Sequence, residues 1–442
     1  MKSHFKSSVL LVILGALFVL HAAAQNNFIL HTDPANMPSV VAAYGLTVLD
    51  QVPSHGVALV TGVTSDDQVA AINSDPNVDN FEAVGQGVSP ETPANIQLNQ
   101  STTAILDNLA GRTLVTYFGV TTVSNYVNQT AVQIINLTKA QATYNATGSG
   151  VVAIIDTGID PNHTVLQGSI VPGYDFTSNQ AGIPNEMNDL DPNTASLLQG
   201  TTPELSKTNA ATVNQSTTAI LDSNQASAIN PANLPAAFGH GTMIAGIVHL
   251  VAPTAMIMPL KAFQANGSAN TYDIIRAIYF AVDNGASVIN MSFSLNGPST
   301  EFMKAINYAT ANGVICVSST GNNGKEMMAY PASMVTVIGV ASTDNNDQRS
   351  TFSNYGSSVA HMAAPGEAIV TTYPGNNYAD VWGTSYSAPF VTGTAALLIQ
   401  LAPNLTIQQA AEAFADAKPL APSLGYGRLD VYRAVRDVLP EH

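Results

Sequence analysis

Cysteine is nearly absent from this 442-residue chain. Cys316 stands alone, so no internal disulfide can form and stability has to come from packing. Its place in the apolar run at residues 314–317 predicts a buried core thiol, not a reactive one. Charge is scarce too: 10% of residues carry one, and positive charge is the scarcer sign, with 14 Lys and Arg against 30 Asp and Glu and a net charge of −16. So acidic a surface excludes nucleic acid and anionic membranes as natural partners. Beyond the N-terminus no apolar run is long enough to span a bilayer.

The N-terminus itself has a recognisable layout. Lys2 and Lys6 precede an apolar run at residues 9–20, and Ala22-Ala23-Ala24 offers a small-residue cleavage site before Gln25. This predicts a signal peptide over residues 1–24 and a secreted or extracytoplasmic mature chain. The rival is an uncleaved anchor, against which the short run and the small-residue site both argue.

Residues 28–85 alternate extended and helical patterns in the order β-α-β-β-α-β, with Asp66 placed to cap the second helix. That order predicts a small α+β ferredoxin-like unit over about residues 25–90. A linker rich in Pro, Asn, Gln and Thr follows over residues 91–119. The rest, residues 120–442, forms a second unit with a low-complexity insertion at about 176–237. Residues 99–107 and 214–222 both read NQSTTAILD. Two copies do not make a solenoid, so a duplicated insertion is the plain account. The sharper one is that Thr-Ala-Ile-Leu forms a strand that docks at an edge or mimics a substrate strand in a cleft.

From about Gly148 onward, aliphatic strands at residues 151–156, 256–261, 287–292, 314–318 and 335–341 alternate with helical patterns at 271–284, 301–312 and 385–401. Alternation of this kind predicts an α/β fold: a doubly wound, mostly parallel sheet with helices on both faces. Ligands then bind beyond the carboxyl ends of the strands.

Four short blocks fall at such strand ends or helix starts. Ile154-Ile155-Asp156-Thr157-Gly158 ends a strand in a carboxylate, and Gly239-His240-Gly241-Thr242 opens an apolar helix with an imidazole. Gly383-Thr384-Ser385-Tyr386-Ser387-Ala388-Pro389 opens another with a hydroxyl, its proline expected in the first turn. Ser319-Thr320-Gly321-Asn322-Asn323-Gly324 follows a strand with an amide. A serine hydroxyl becomes a good nucleophile only when an imidazole takes its proton and a carboxylate orients that imidazole, which needs all three groups together. Asp-Thr-Gly also occurs in aspartic proteases, but those need two such carboxylates and this chain has one.

On these blocks, in the order Asp, His, Ser, the chain resembles the subtilisin-like serine proteases over about residues 126–439. Gly173-Tyr174-Asp175-Phe176 and the closing Gly425-Tyr426-Gly427-Arg428-Leu429-Asp430 are similar to motifs of the same family. The resemblance implies a secreted serine endopeptidase acting on proteins or peptides through an acyl-enzyme. Asp156, His240 and Ser385 would form its triad, and Asn322 would donate to the oxyanion. It also implies an N-terminal inhibitory prodomain acting within the molecule, a monomer, and no cofactor for the chemistry. Ser292-Phe293-Ser294 and Asn266-Gly267-Ser268 would flank the substrate strand, with Thr320 and Gly321 beside them.

Calcium is common in the family, yet Glu186, Asp189 and Asp191 lack a recognisable ligand loop, so no metal ligand is assigned. Three positions depart from the pattern: Ser294 replaces a glycine at the pocket wall, Tyr386 a methionine after the nucleophile, and Phe390 a histidine. The rival from another class is a catalytically silent, secreted peptide-binding protein on the same fold. A second enzyme alternative, acyl transfer to an amine or alcohol, could use the same site.

Overall fold

The computed structural model describes residues 27–89, 99, 113–199, 210–214, 219–222 and 233–440. The expected signal peptide and most of the linker lie outside them. The chain divides into two compact units at the Ala83/Val84 boundary.

The first unit is an antiparallel sheet covered by two helices. In chain order its elements are β1 (Asn27–His31), α1 (Met37–Ala43), β2 (Thr47–Val52), β3 (Val57–Thr61), α2 (Asp66–Asn73) and β4 (Asn80–Ala83). The sheet order β2-β3-β1-β4 is the ferredoxin-like arrangement predicted above. Phe28, Leu30, Val60, Ile72 and Phe81 close its core. Asp66 does not cap α2. Ser65 does, its hydroxyl accepting the Gln68 N–H, and Asp66 falls in the first turn, where its charge suits the helix dipole.

The second unit opens with a short strand, β5 (Gln86–Val88). Residues 114–117, expected in the linker, instead pair with residues 120–123 as a hairpin. Then come β6 (Val151–Asp156), β7 (Gly173–Asp175), β8 (Gln180–Gly182), β9 (Ala210–Asn214), β10 (Ala219–Asp222) and α3 (His240–Val251). They are followed by β11 (Met256–Lys261), β12 (Ser268–Asn270), α4 (Thr271–Asp283), β13 (Val288–Met291), β14 (Ser294–Leu295) and α5 (Thr300–Ala311). The remaining labelled elements are β15 (Ile315–Ser319), β16 (Val337–Thr343), β17 (Met362–Pro365), β18 (Ile369–Tyr373), β19 (Asn377–Val381) and α6 (Thr384–Leu401).

The main sheet runs β8-β7-β11-β6-β13-β15-β16-β17, parallel throughout except for β8 at its edge. Chain order leaves β6 first toward β7 and β11 on one side, then toward β13 on the other. The carboxyl ends of β6 and β13 therefore flank a switch point, where a crevice forms. Helices α3 and α6 pack against each other and are almost wholly buried, which explains why both are apolar on every face.

Pro389 does not lie in the first turn of α6, which starts at Thr384, but inside the helix. It therefore removes the N–H that would meet the Ser385 carbonyl. The hydroxyl of Ser292 donates to that carbonyl instead, at 2.9 Å.

The stretch at 176–237 is more ordered than its composition predicted. Besides β8 it holds a 3-10 turn (Glu186–Asp189) and a helix (Pro192–Gln199). The second NQSTTAILD copy contributes β10, which pairs antiparallel with β19, Leu221 opposite Ala379, in the sheet β9-β10-β19-β18. It docks at a sheet edge and does not mimic a substrate strand. The first copy, apart from Asn99, lies outside the described residues.

Candidate active site

Asp156 is the last residue of β6, and its carboxylate is buried. The N–H of Thr157 donates to its Oδ1 at 2.8 Å, and His240 Nδ1 lies 2.8 Å from Oδ1 and 2.9 Å from Oδ2. His240 is the first residue of α3 and is shielded from solvent. A carboxylate on Nδ1 holds the proton there and leaves Nε2 as the basic nitrogen. Among the described residues His240 Nε2 has no hydrogen-bond partner. Gly241 lets these segments approach: a Cβ there would lie 2.0 Å from the Gly158 carbonyl oxygen.

Ser385 is the second residue of α6. Its hydroxyl points to the Ser292 carbonyl at 3.4 Å and makes no bond to His240. Nucleophile–base bonds are often long before substrate is seated. Asn322 sits beside it with its amide oxygen taken up by the N–H and hydroxyl of Thr384, at 2.8 and 2.9 Å. That leaves the amide NH2 as the group able to donate into the site. Gly321 N–H binds the Thr384 hydroxyl, and the Thr320 hydroxyl binds the Asn354 carbonyl, so both residues hold the Asn322 loop.

The chain also shows how an extended strand sits here. β5 lies between β12 and β14 as the middle of an antiparallel three-stranded sheet, with Val88 opposite both Ser268 and Ser294. Ser89 N–H donates to the Gly267 carbonyl at 2.8 Å, and the Ser89 hydroxyl reaches the Ser292 carbonyl at 3.2 Å and His240 Nδ1 at 3.4 Å. Asn266 shapes this wall by accepting the N–H and hydroxyl of Ser268. Phe293 packs on Phe263 with ring centroids 4.9 Å apart, under Gly87. A Cβ at Gly87 would lie 2.7 Å from Ile274 Cδ1, so this wall leaves little room for a side chain there.

The replaced residues are accommodated. Tyr386 is buried, with its ring centroid 5.7 Å from that of His240 and its hydroxyl 3.9 Å from Met243 Sδ; burial pushes its phenol well above the usual range. Phe390 is a core residue of α6. The Ser294 hydroxyl is buried and has no partner among the described residues. Cys316 is buried, and burial pushes its thiol up to about 12, so it is a core residue.

The three acidic residues of the insertion each bond to protein groups and do not converge. Asp189 pairs with Lys261 at 2.8 Å, and Asp191 caps the helix that follows through Thr194. Glu186 is the residue that sequence reasoning missed: it is fully buried and bonds the segments that follow Asp156 and His240. Its partners are hydroxyls and backbone N–H groups from distant segments, so no local motif marked it. Among the described residues no group of three or more His, Cys, Asp or Glu side chains converges.

Fold and cleft together define an α/β protein that takes an extended chain as an added strand beside a serine and a histidine–carboxylate pair. The family model described as "Subtilase family" matches residues 148–427, and the chain belongs to that family. It is 36% identical over 286 residues to the thermophilic serine proteinase of Bacillus sp. (strain AK1), a match covering 64% of this chain and 61% of that protein. It is 34% identical over 304 residues to thermitase of Thermoactinomyces vulgaris, covering 66% of this chain and 90% of thermitase. The chain thus spans about three fifths of the first relative and most of the second. The crystal structure of fervidolysin from Fervidobacterium pennivorans, described as a keratinolytic enzyme related to subtilisin, superposes with a TM-score of 0.67. At 20% identity over 95% of this chain and 62% of fervidolysin, that match shows the shared fold.

Proposed function

We propose that this protein is a secreted serine endopeptidase made with its own inhibitor. Ser385 attacks the peptide carbonyl, His240 takes the hydroxyl proton and passes it to the leaving amine, and Asp156 orients the imidazole and stabilises its charged form. The Asn322 amide and the Ser385 N–H donate to the developing oxyanion at the start of α6, where the helix dipole also favours negative charge. Water then releases the acyl group, and no cofactor enters.

The observation that carries the reading is the buried 2.8 Å contact between Asp156 and His240 at the carboxyl edge of the sheet, beside a strand-shaped cleft. The strand in that cleft is the chain's own β5, which supports residues 25–90 as a prodomain that blocks the cleft until cleavage. Cleavage is expected within the few residues after Ser89, whose hydroxyl already touches His240. No helix among the described residues is long and apolar enough to cross a membrane.

Two measurements on secreted protein test this. A fluorophosphonate probe is expected to form a covalent adduct on Ser385, and N-terminal sequencing to find a new terminus shortly after Ser89. A processed chain that takes no probe would overturn the enzyme in favour of a silent peptide-binding protein.

A further inference from the structure

Glu186 lies in the insertion, outside every catalytic block, yet its carboxyl group joins two of them. Its own backbone is fixed by mutual bonds with the strand extension after Asp156: Glu186 N–H to the Ile159 carbonyl at 3.0 Å, and Ile159 N–H to the Pro184 carbonyl at 2.9 Å. One carboxyl oxygen accepts the Thr157 hydroxyl at 2.5 Å and the Gly241 N–H at 3.3 Å. The other accepts the Thr242 N–H at 3.2 Å and the Thr242 hydroxyl. Thr157 directly follows Asp156, and Gly241 and Thr242 directly follow His240. Both N–H groups belong to the first turn of α3 and have no intrahelical acceptor, so an anion is favoured there, and the Gly241 N–H is shared with the Thr157 hydroxyl oxygen at 3.0 Å.

Resting on the reading of Asp156 and His240 as the orienting and proton-carrying pair, the geometry points to Glu186 as a positioning residue that sets their separation and the strength of Asp156 as a hydrogen-bond acceptor. The first part follows from the clamp. A buried carboxyl group with four donors from two segments fixes the strand end against the helix start far more tightly than apolar contact would. The second follows from proton counting. The Thr157 hydroxyl has one proton and stands 2.5 Å from Glu186 and 3.1 Å from Asp156 Oδ1. While Glu186 is ionised, the proton goes to Glu186 and Asp156 keeps its charge for His240. When Glu186 takes up a proton, the hydroxyl is released to Asp156, which then holds the imidazolium less well.

Burial pushes Glu186 up to about 7, with Asp156 adding to the rise and Thr157, Thr242 and Lys261 opposing it. The charged or titratable groups facing it are Asp156, Lys261, Tyr373 and Tyr386, with His240 beyond Asp156. Lys261 is itself held by the Thr157 carbonyl and Asp189. The exchange therefore falls near pH 7.

The test compares full-length wild type with Glu186→Gln, Glu186→Asp and Thr157→Val, each normalised to Ser385 sites titrated with the fluorophosphonate. For Glu186→Gln, kcat is expected to fall about tenfold, the size of one charge-assisted hydrogen bond, with KM within about twofold. The acid limb of its kcat/KM profile should move, and Glu186→Asp should recover part of the loss. Thr157→Val keeps the carboxyl group and should shift the same limb even if Glu186→Gln fails to fold. Wild-type kcat and pH profile per titrated site in the folded variants would overturn the assignment. So would a loss that follows only the folded fraction. Failure of the wild type to take the probe would instead sink the enzymatic reading beneath it.

Discussion

The Ser292 hydroxyl donates at 2.9 Å to the backbone carbonyl of Ser385, the carbonyl that Pro389 leaves without its helical donor. One residue thus completes the helix that carries Ser385, while its own carbonyl faces both the Ser385 hydroxyl and the strand in the cleft.

Ser292→Ala should therefore act on stability and chemistry together. A buried carbonyl left without a partner costs about 1–3 kcal/mol, and Asn290, whose amide donates to the Ser292 hydroxyl at 2.9 Å, loses an acceptor as well. Thermal melts in a Ser385→Ala background should show the drop without self-digestion. Specific activity per titrated site should fall too, because the start of α6 is no longer pinned. An unchanged melting temperature would mean that the carbonyl finds another donor.

Gly87→Val addresses the strand in the cleft. A side chain there meets Ile274 Cδ1 and the Phe263 ring, both buried beneath β5. The strand should seat poorly and self-processing should slow, seen as persistence of the full-length chain on gels. Adding Ile274→Ala opens the wall and should restore processing. If Gly87→Val matures at the wild-type rate, β5 does not lie in the cleft when the cut is made.

Much of the architecture was legible because parallel strands buried on both faces read as continuous aliphatic runs, as at residues 151–156 and 288–291. The strand-end place of Asp156 and the helix-start places of His240 and Ser385 were legible because small residues flank each of them in its block. β5 was not: Gln86–Val88 is short and contains a glycine, and it is a strand only because β12 and β14 offer edges on either side. Nor was Glu186, whose hydrogen-bond partners come from two segments distant from it in sequence. Pro389 misled for a related reason. Its cost is offset by Ser292, a residue nearly a hundred positions away.

Acid should destabilise the fold through His163 and His249. Both are buried, and burial lowers each to about 4 from an ordinary 6.5. Between those values the unfolded chain binds two protons that the folded chain refuses, so stability falls as pH drops from 6.5 toward 4. Glu186 works in the opposite sense. Raised to about 7 from 4.5, it binds a proton in the folded state first, so its contribution is lost as pH rises through 7. These three groups together place maximal stability near pH 6.5, with a decline on the acid side on the order of a few kcal/mol. Urea midpoints of the Ser385→Ala protein across pH 4 to 8 measure it, and His249→Gln should flatten the acid side. A midpoint that stays level from pH 6.5 to 4.5 would contradict the burial argument.

Peroxide should spare the activity. Oxidation follows exposure, and Met243, on the helix that opens with His240, is fully buried with its sulfur against the Tyr386 hydroxyl. Met327 and Met328 are 39% and 55% exposed and should oxidise first. Peptide mapping after mild peroxide is expected to find sulfoxide at those two positions while hydrolysis continues at its initial rate. Tyr386→Met should reverse the behaviour by placing a thioether next to the nucleophile, where a single oxygen crowds the site, so activity would then decay with its oxidation. Rapid loss in the unmodified protein, tracking Met243 oxidation, would show that the helix carrying His240 opens more readily than its burial implies.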